Sequence, residues 1–298
     1  MTTVHVRDLV KEYATRRGLR RSTLRAVDRV SFDLEPGRTV ALVGESGSGK
    51  STIAKLLMRL ERPTSGSIDV VKEDGGAAQA REHRRHVQMV FQDPFASLNP
   101  FHSIEHHIAR PLRIHRRTSG REETRERVLE LLERVRLTPA ADVVGRRPHE
   151  LSGGQRQRVA IARALAPGAQ VLVADEPVSM LDVSIRLGVL NLLARLQRED
   201  RLAVLYITHD LATARHFSDE ILVLYRGRIV ERGPADEVIL NPQHEYTQLL
   251  AEAAPDPERS QSGRTVRFEG RPAIDNSRCF NHTTGEWETA GTAEAVGA

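Results

Sequence analysis

Gly44-Glu45-Ser46-Gly47-Ser48-Gly49-Lys50-Ser51, followed by Thr52, gathers glycines, a lysine and hydroxyls in one short stretch. Glycines there let backbone N–H groups turn inward and ring the β-phosphate of a nucleotide. Lys50 supplies positive charge to the β- and γ-phosphates, and Ser51 offers a hydroxyl to Mg²⁺. A helix starting at this point aims its positive end at the same anion. A plain glycine turn is the alternative, and it rarely carries the whole pattern. Further along, Val171-Leu172-Val173-Ala174-Asp175-Glu176 is an apolar run ending in two carboxylates. At the carboxyl edge of an α/β sheet, Asp175 can hold Mg²⁺ through water. Glu176 points differently and is assigned as the base that orients and polarises an attacking water. Taken alone, the pair is as readily a solvated strand end.

The elements that must position these groups follow from apolar spacing. Residues 39–43 form a short apolar strand running into the glycine loop, and residues 51–60 have helical spacing. Strand, loop, helix is the context such a loop requires. Residues 171–174 and 203–207 are continuous apolar runs, read as buried parallel strands, with an amphipathic helix over 183–198 between them. Residues 4–10 and 27–34 alternate as strands do. Between them, residues 14–25 carry five arginines and Gly18 and read as a flexible basic loop. Residues 61–86 are turn-rich and charged, residues 86–91 a strand, and residues 104–137 helical. Ser152 caps a helix that Pro167 ends. Residues 221–225 and 228–230 flank Arg226-Gly227 as a hairpin, and residues 237–252 close the pattern with helix interrupted at Asn241-Pro242. Residues 255–298, rich in Gly, Ser, Thr, Arg and Glu, are expected to be a weakly ordered tail.

Composition narrows the function classes. A hydrophobic share of 39% supports a core, and 4% aromatics leaves aliphatic side chains to fill it. A formal charge of +4 is small enough that a solvated, mildly basic surface outweighs a nucleic-acid partner. Cys279, the only cysteine, excludes an intramolecular disulfide and a multi-cysteine zinc site, which suits a reducing cytosol. No run approaches the roughly 18 apolar residues of a membrane span, and Met1–Arg7 lacks an apolar secretory core. Membrane association must then come through a partner. His102, His106 and His107 offer helical spacing for a metal, but without a further anchor polar surface is the better reading. Asn281-His282-Thr283 is read as a chance sequon.

Leu151-Ser152-Gly153-Gly154-Gln155 lies between the glycine loop and the carboxylate strand. In this order the three motifs resemble the ATP-binding cassette (ABC) superfamily. The resemblance implies an α/β cassette: a phosphate-loop core with a mixed sheet, an antiparallel β subdomain and an inserted α-helical subdomain at about residues 93–166 of a domain spanning 1–254. By the same resemblance His209, in Ile207-Thr208-His209-Asp210, is the switch histidine that contacts the γ-phosphate. Gln92 senses Mg²⁺ and water, and Tyr13 stacks on adenine. Ser152, Gly153, Gly154 and Gln155 present a helix start to the nucleotide of an opposing subunit, and Asp182 touches that subunit. The resemblance further implies that two ATP molecules with Mg²⁺ are buried between two protomers and that loss of the γ-phosphate opens the pair.

Three further segments resemble the oligopeptide/dipeptide importer ATPases: Phe91–Pro100, Asp175–Ser184 and Asn241–Leu250, the last within a C-terminal motif over about 233–254. Phe101, Met180 and Glu245 stand where that family usually has arginine, alanine and proline. Members that hold an iron–sulfur cluster near the C-terminus use several cysteines, which a single Cys279 cannot replace. The resemblance implies a second ATPase subunit, identical or paralogous, and two membrane-spanning permeases docked near residues 92–101. An extracytoplasmic solute-binding protein acts indirectly. The chain is then expected at the cytoplasmic face of the membrane, driving uptake of peptides or related small solutes. The rival readings are an accessory ATPase of a soluble complex, such as one of phosphonate breakdown, and an ABC ATPase of the DNA-repair type.

Overall fold

The computed structural model describes residues 1–17, 20–72, 76, 79–253 and 274–291. The chain opens with β1 (Thr2–Arg17), β2 (Arg20–Leu34), β3 (Thr39–Val43), α1 (Lys50–Leu57) and β4 (Ser65–Lys72). Then come α2 (Ala80–His86), β5 (Val87–Val90), α3 (Pro94–Ser97), α4 (Ile104–Ile114), α5 (Arg121–Arg134), α6 (Ala140–Val144) and α7 (Gly153–Leu165). β6 (Val171–Asp175), α8 (Val183–Asp200), β7 (Ala203–Thr208), α9 (Leu211–Phe217), β8 (Glu220–Tyr225) and β9 (Arg228–Pro234) follow. α10 (Ala235–Leu240), α11 (Glu245–Ala253), β10 (Arg278–Asn281) and β11 (Glu286–Thr289) complete the described chain.

The chain forms two compact units. The loop unit, which holds the glycine loop, comprises residues 3–34, 38–71 and 205 onward; the signature unit, named for the signature segment Leu151–Gln155 that it holds, comprises residues 1–2, 35–37 and 72–204. In the loop unit a mixed sheet runs in the order β11-β10-β9-β8-β3-β7. β3 pairs parallel with β8, Val40 opposite Glu220 through Val43 opposite Val223. Val40–Val43 and Ile221–Leu224 are buried, as continuous apolar runs must be when a strand is covered on both faces. β8 turns into β9 as an antiparallel hairpin, with positive φ at Arg226 and Gly227. A second sheet, β2-β1-β4, carries Val4, Val6, Phe32 and Leu34 on its buried face. In the signature unit β5 and β6 pair parallel, Val87 opposite Val171. Val128, Leu131 and Leu132 of α5 and Val159, Ile161 and Ala162 of α7 fill its helical core.

Four expectations are corrected. The basic segment 14–25 is not a loop where described: β1 and β2 stay paired from Ala14 opposite Thr23 to Arg17 opposite Arg20, tied by the Thr15 and Ser22 hydroxyls at 2.6 Å. Long polar side chains on a two-stranded ribbon leave no alternating apolar signature to read. The turn-rich stretch 61–86 contains β4, the third strand of that sheet, and α2. His107 is buried rather than surface, its Nε2 3.0 Å from the Asn99 carbonyl, while His102 and His106 stack with ring centroids 4.0 Å apart. Burial pushes His107 below the usual histidine range.

The fourth correction is the tail. Residues 278–281 and 286–289 form a hairpin, and β10 adds in parallel to β9 with Phe280 opposite Glu231. Cys279 and Ala290 are buried beneath it, and Phe280 and Trp287 meet edge-on at 5.2 Å. These scattered apolar residues are one strand pair, whose order comes from the edge it joins. Its Asn281 amide is committed, donating to Glu288 at 2.7 Å and accepting from Thr283 N–H at 3.0 Å. Residues 255–273 and 292–298 of the expected tail lie outside the described residues.

Candidate functional site

The glycine loop runs from the end of β3 into α1 with positive φ at Gly44, Gly47 and Gly49. Two of these glycines are sterically obligatory. A Cβ at Gly44 would lie 2.2 Å from the Leu224 carbonyl oxygen, and one at Gly49 2.4 Å from that of Ala26. Gly47 faces open space. Lys50 is buried, and its Nζ donates to the carbonyls of Gly44 at 2.6 Å and Glu45 at 2.7 Å. The ammonium therefore sits inside the curl of its own loop. Ser48 Oγ is buried without a hydrogen-bond partner, while Ser46, Gly47 and Ser51 are exposed. A buried hydroxyl left unsatisfied costs free energy unless a ligand completes it. The loop fits a phosphate group: a cation, an orphan donor and inward-turned backbone at a helix start.

Tyr13 stands in the same unit. Its hydroxyl donates to Glu61 at 2.6 Å and also meets Thr52, the residue after the loop. The Lys11 ammonium lies 5.0 Å from its ring centroid. Burial and the Glu61 contact push the phenol above its ordinary range. His209 follows β7 and is exposed. Its neighbour Asp210 caps α9 by accepting from Ala212 and Thr213 N–H groups at 3.0 and 3.3 Å.

In the signature unit β6 delivers Asp175 and Glu176 at its carboxyl end. Glu176 has φ of 44°, a conformation that costs free energy in a non-glycine residue and is held only by its surroundings. The turn that holds it is closed by Ser179, whose N–H and hydroxyl both donate to the Glu176 carbonyl. The Gln92 amide donates to Glu176 Oε2 at 3.0 Å, so two residues 84 positions apart in sequence meet.

α7 begins at the signature segment. Ser152 Oγ accepts from Gln155 N–H at 3.2 Å, and Gln155 Oε1 accepts from Ser152 N–H at 2.9 Å, a reciprocal capping box. Gly154 lies against α8, where a Cβ would come within 2.5 Å of Ile185; at Gly153 the nearest atom would be Leu181 Cδ2 at 3.4 Å. Asp182 precedes α8 and is exposed beside Met180, Val183 and Leu187, three exposed apolar side chains.

One contact carries no local mark in the sequence. Tyr246, in the first turn of α11, accepts the Glu45 N–H at 2.9 Å. Its segment resembled a family motif, but nothing in a linear sequence links it to a loop 201 positions away.

A family model described as "ABC transporter" matches residues 27–179, and one described as "Oligopeptide/dipeptide transporter, C-terminal region" matches residues 230–280. The chain is 48% identical over 274 residues to the di/tripeptide transport ATP-binding protein DppF of Pseudomonas aeruginosa, covering 90% of this chain and 84% of that protein. It is 43% identical over 275 residues to the oligopeptide transport ATP-binding protein OppF of Bacillus subtilis, covering 91% and 88%. A solved dimeric ATP-binding cassette, in a post-hydrolysis state bound to ADP and Pi, superposes with a TM-score of 0.66 at 32% identity over 78% of this chain and 98% of that one. Among the described residues no helix is long and apolar enough to cross a membrane. The chain therefore belongs to the ABC transporter family and is an ATPase of its ATP-binding cassette class.

Proposed function

We propose that this chain is the ATP-hydrolysing subunit of an importer for peptides or related small solutes. The observation that carries the reading is the Gln92–Glu176 hydrogen bond. It holds the assigned base at a fixed orientation through a partner that does not titrate. The names of DppF and OppF and the C-terminal match supply the substrate class.

Each residue then has a role. Gly44–Thr52 wraps the phosphates, with Lys50 as the cation, and Tyr13 stacks on adenine. Ser51, Gln92 and Asp175 would hold Mg²⁺, which would supply positive charge to offset the charge that develops on the transferred group. Glu176 polarises the attacking water and His209 grips the γ-phosphate. Ser152–Gln155 completes the nucleotide site of a second ATPase subunit, identical or paralogous, in a head-to-tail pair holding two ATP. The exposed apolar strip Met180, Val183 and Leu187 around Asp182 supports a protein-covered face there. Phe91, Phe95 and Phe101, all exposed on the segment expected to meet the permeases, support docking of membrane-spanning partners at the cytoplasmic face. An extracytoplasmic solute-binding protein delivers the cargo. In this reading the ATPase domain spans 1–254, with a helical subdomain near 93–166.

The test is purification of the intact complex in mild detergent with identification of every companion chain. Co-purifying permeases are the expected result. A soluble lyase assembly, or ATPase activity stimulated by DNA, would replace the importer reading with one of its rivals.

A further inference from the structure

The peptide unit joining Gly44 to Glu45 is pinned at both ends. Its carbonyl accepts from Lys50 Nζ at 2.6 Å, and its N–H donates to the Tyr246 hydroxyl at 2.9 Å. Tyr246 is fully buried, and its ring lies 4.3 Å from that of Tyr225, which ends the strand beside the loop. Burial raises the phenol far above its ordinary range, so the group stays a neutral hydroxyl.

Tyr246 is itself held by a succession of hydrogen bonds. Its N–H donates to His244 Nδ1 at 3.1 Å, and His244 Nε2 lies 2.8 Å from the Asp275 carbonyl. An acceptor at Nδ1 and a carbonyl at Nε2 require the tautomer with its proton on Nε2. The His244 and Gln243 N–H groups donate to the fully buried Glu231 carboxylate, which His282 of the C-terminal hairpin contacts at 2.7 Å. The C-terminal segment and its hairpin thus converge on one hydroxyl aimed at the glycine loop.

Resting on the nucleotide reading above, we propose that Tyr246 is a positioning residue for the phosphate loop, acting through the Gly44–Glu45 peptide. A triphosphate competes with the Gly44 and Glu45 carbonyls for the Lys50 ammonium. When Lys50 turns to the phosphate, the Gly44 carbonyl loses that anchor, and the Tyr246 hydrogen bond stays to hold the peptide plane. The hydroxyl therefore matters more to the nucleotide-bound chain than to the nucleotide-free one.

The test uses the full chain and Tyr246→Phe, which keeps the buried ring and deletes the hydroxyl. Three quantities are measured: deuterium exchange at the Glu45 amide without nucleotide, ATP affinity by calorimetry, and the nucleotide-free melting midpoint. We expect about tenfold faster Glu45 exchange and about fivefold weaker ATP binding, the worth of one hydrogen bond. The midpoint should stay within about 2 °C of the parent. Unchanged ATP affinity would overturn the proposal. So would an affinity loss accompanied by a large fall in the midpoint and unaltered Glu45 exchange, since that is what mere core filling produces. Should the parent chain fail to bind ATP, the nucleotide reading falls instead, and Glu45 exchange still decides whether the hydroxyl holds the loop.

Discussion

Two segments of this chain bring glycines to a helix start, and they are built in opposite ways. The Gly44–Ser51 loop is walled at its base and open at its tip: carbonyls of Leu224 and Ala26 press on Gly44 and Gly49, Lys50 is buried in the curl, and Tyr246 pins the entry. The Ser152–Gln155 segment satisfies itself. Ser152 and Gln155 cap one another, and the packing of its glycines is against Leu181 and Ile185 of its own unit. The first arrangement is a cradle with its own cation and walls. The second is a helix end with a dipole and no walls, useful to an anion that something else already holds. That contrast is what the proposed site, shared between two subunits, would require.

The largest expected effect sharpens the difference between binding and chemistry. Glu176→Gln should bind ATP as the parent does and lose about 10²- to 10⁴-fold in turnover, the range for loss of a general base. Brisk steady-state hydrolysis would remove Glu176 from its role. Lys50→Ala should weaken ATP binding about 100-fold, because a charge-assisted contact is worth up to about 3 kcal/mol; calorimetry showing parental affinity would break the cradle account. A glycine pair tests the contrast itself. Gly49→Ala meets a backbone oxygen at positive φ and should cost the isolated chain at least about tenfold in ATP affinity. Gly153→Ala meets only ordinary contact and should leave that affinity unchanged while lowering ATPase activity of the assembled complex. Equal losses of affinity in the two variants would erase the distinction. Smallest is Ser152→Ala, which removes a cap worth about 1 kcal/mol and should lower the melting midpoint by about 2 °C.

The hairpin offers a separate check at the C-terminal end. Burial pushes the Cys279 thiol up to about 12, which leaves about one part in ten thousand as thiolate at pH 8. A disulfide reagent at that pH should react with Cys279 only after denaturation. Rapid labelling of the native chain would mean that β10 is not seated on β9.

How much was legible depended on whether the signal was local. β3, β6 and β7 announced themselves as continuous apolar runs, and the Ser152 cap was readable from a serine standing just ahead of a helical apolar pattern. The Gln92–Glu176 contact joins residues whose importance the motifs gave separately. What escaped depends on edges and partners far away in sequence. The β1–β2 ribbon continues through Thr15 and Ser22 because cross-strand hydrogen bonds, not apolar alternation, hold it. The C-terminal hairpin is ordered by the exposed edge of β9 and by Glu231, which composition alone does not reveal. Tyr246 stood in plain view in a recognised motif, yet its meaning lies in the Glu45 amide that only folding brings to it.

The central claim is that the cradle of one subunit and the signature segment of another grip the same ATP. A photo-crosslinking group at the exposed position Ser46, in Glu176→Gln chains within the detergent-purified complex, tests it directly. With ATP and Mg²⁺, mass spectrometry should find position 46 joined to a peptide containing the Leu-Ser-Gly-Gly-Gln signature of a second ATPase subunit, and with ADP that product should vanish. Cross-links confined to the same chain, or unchanged between ATP and ADP, would contradict the account.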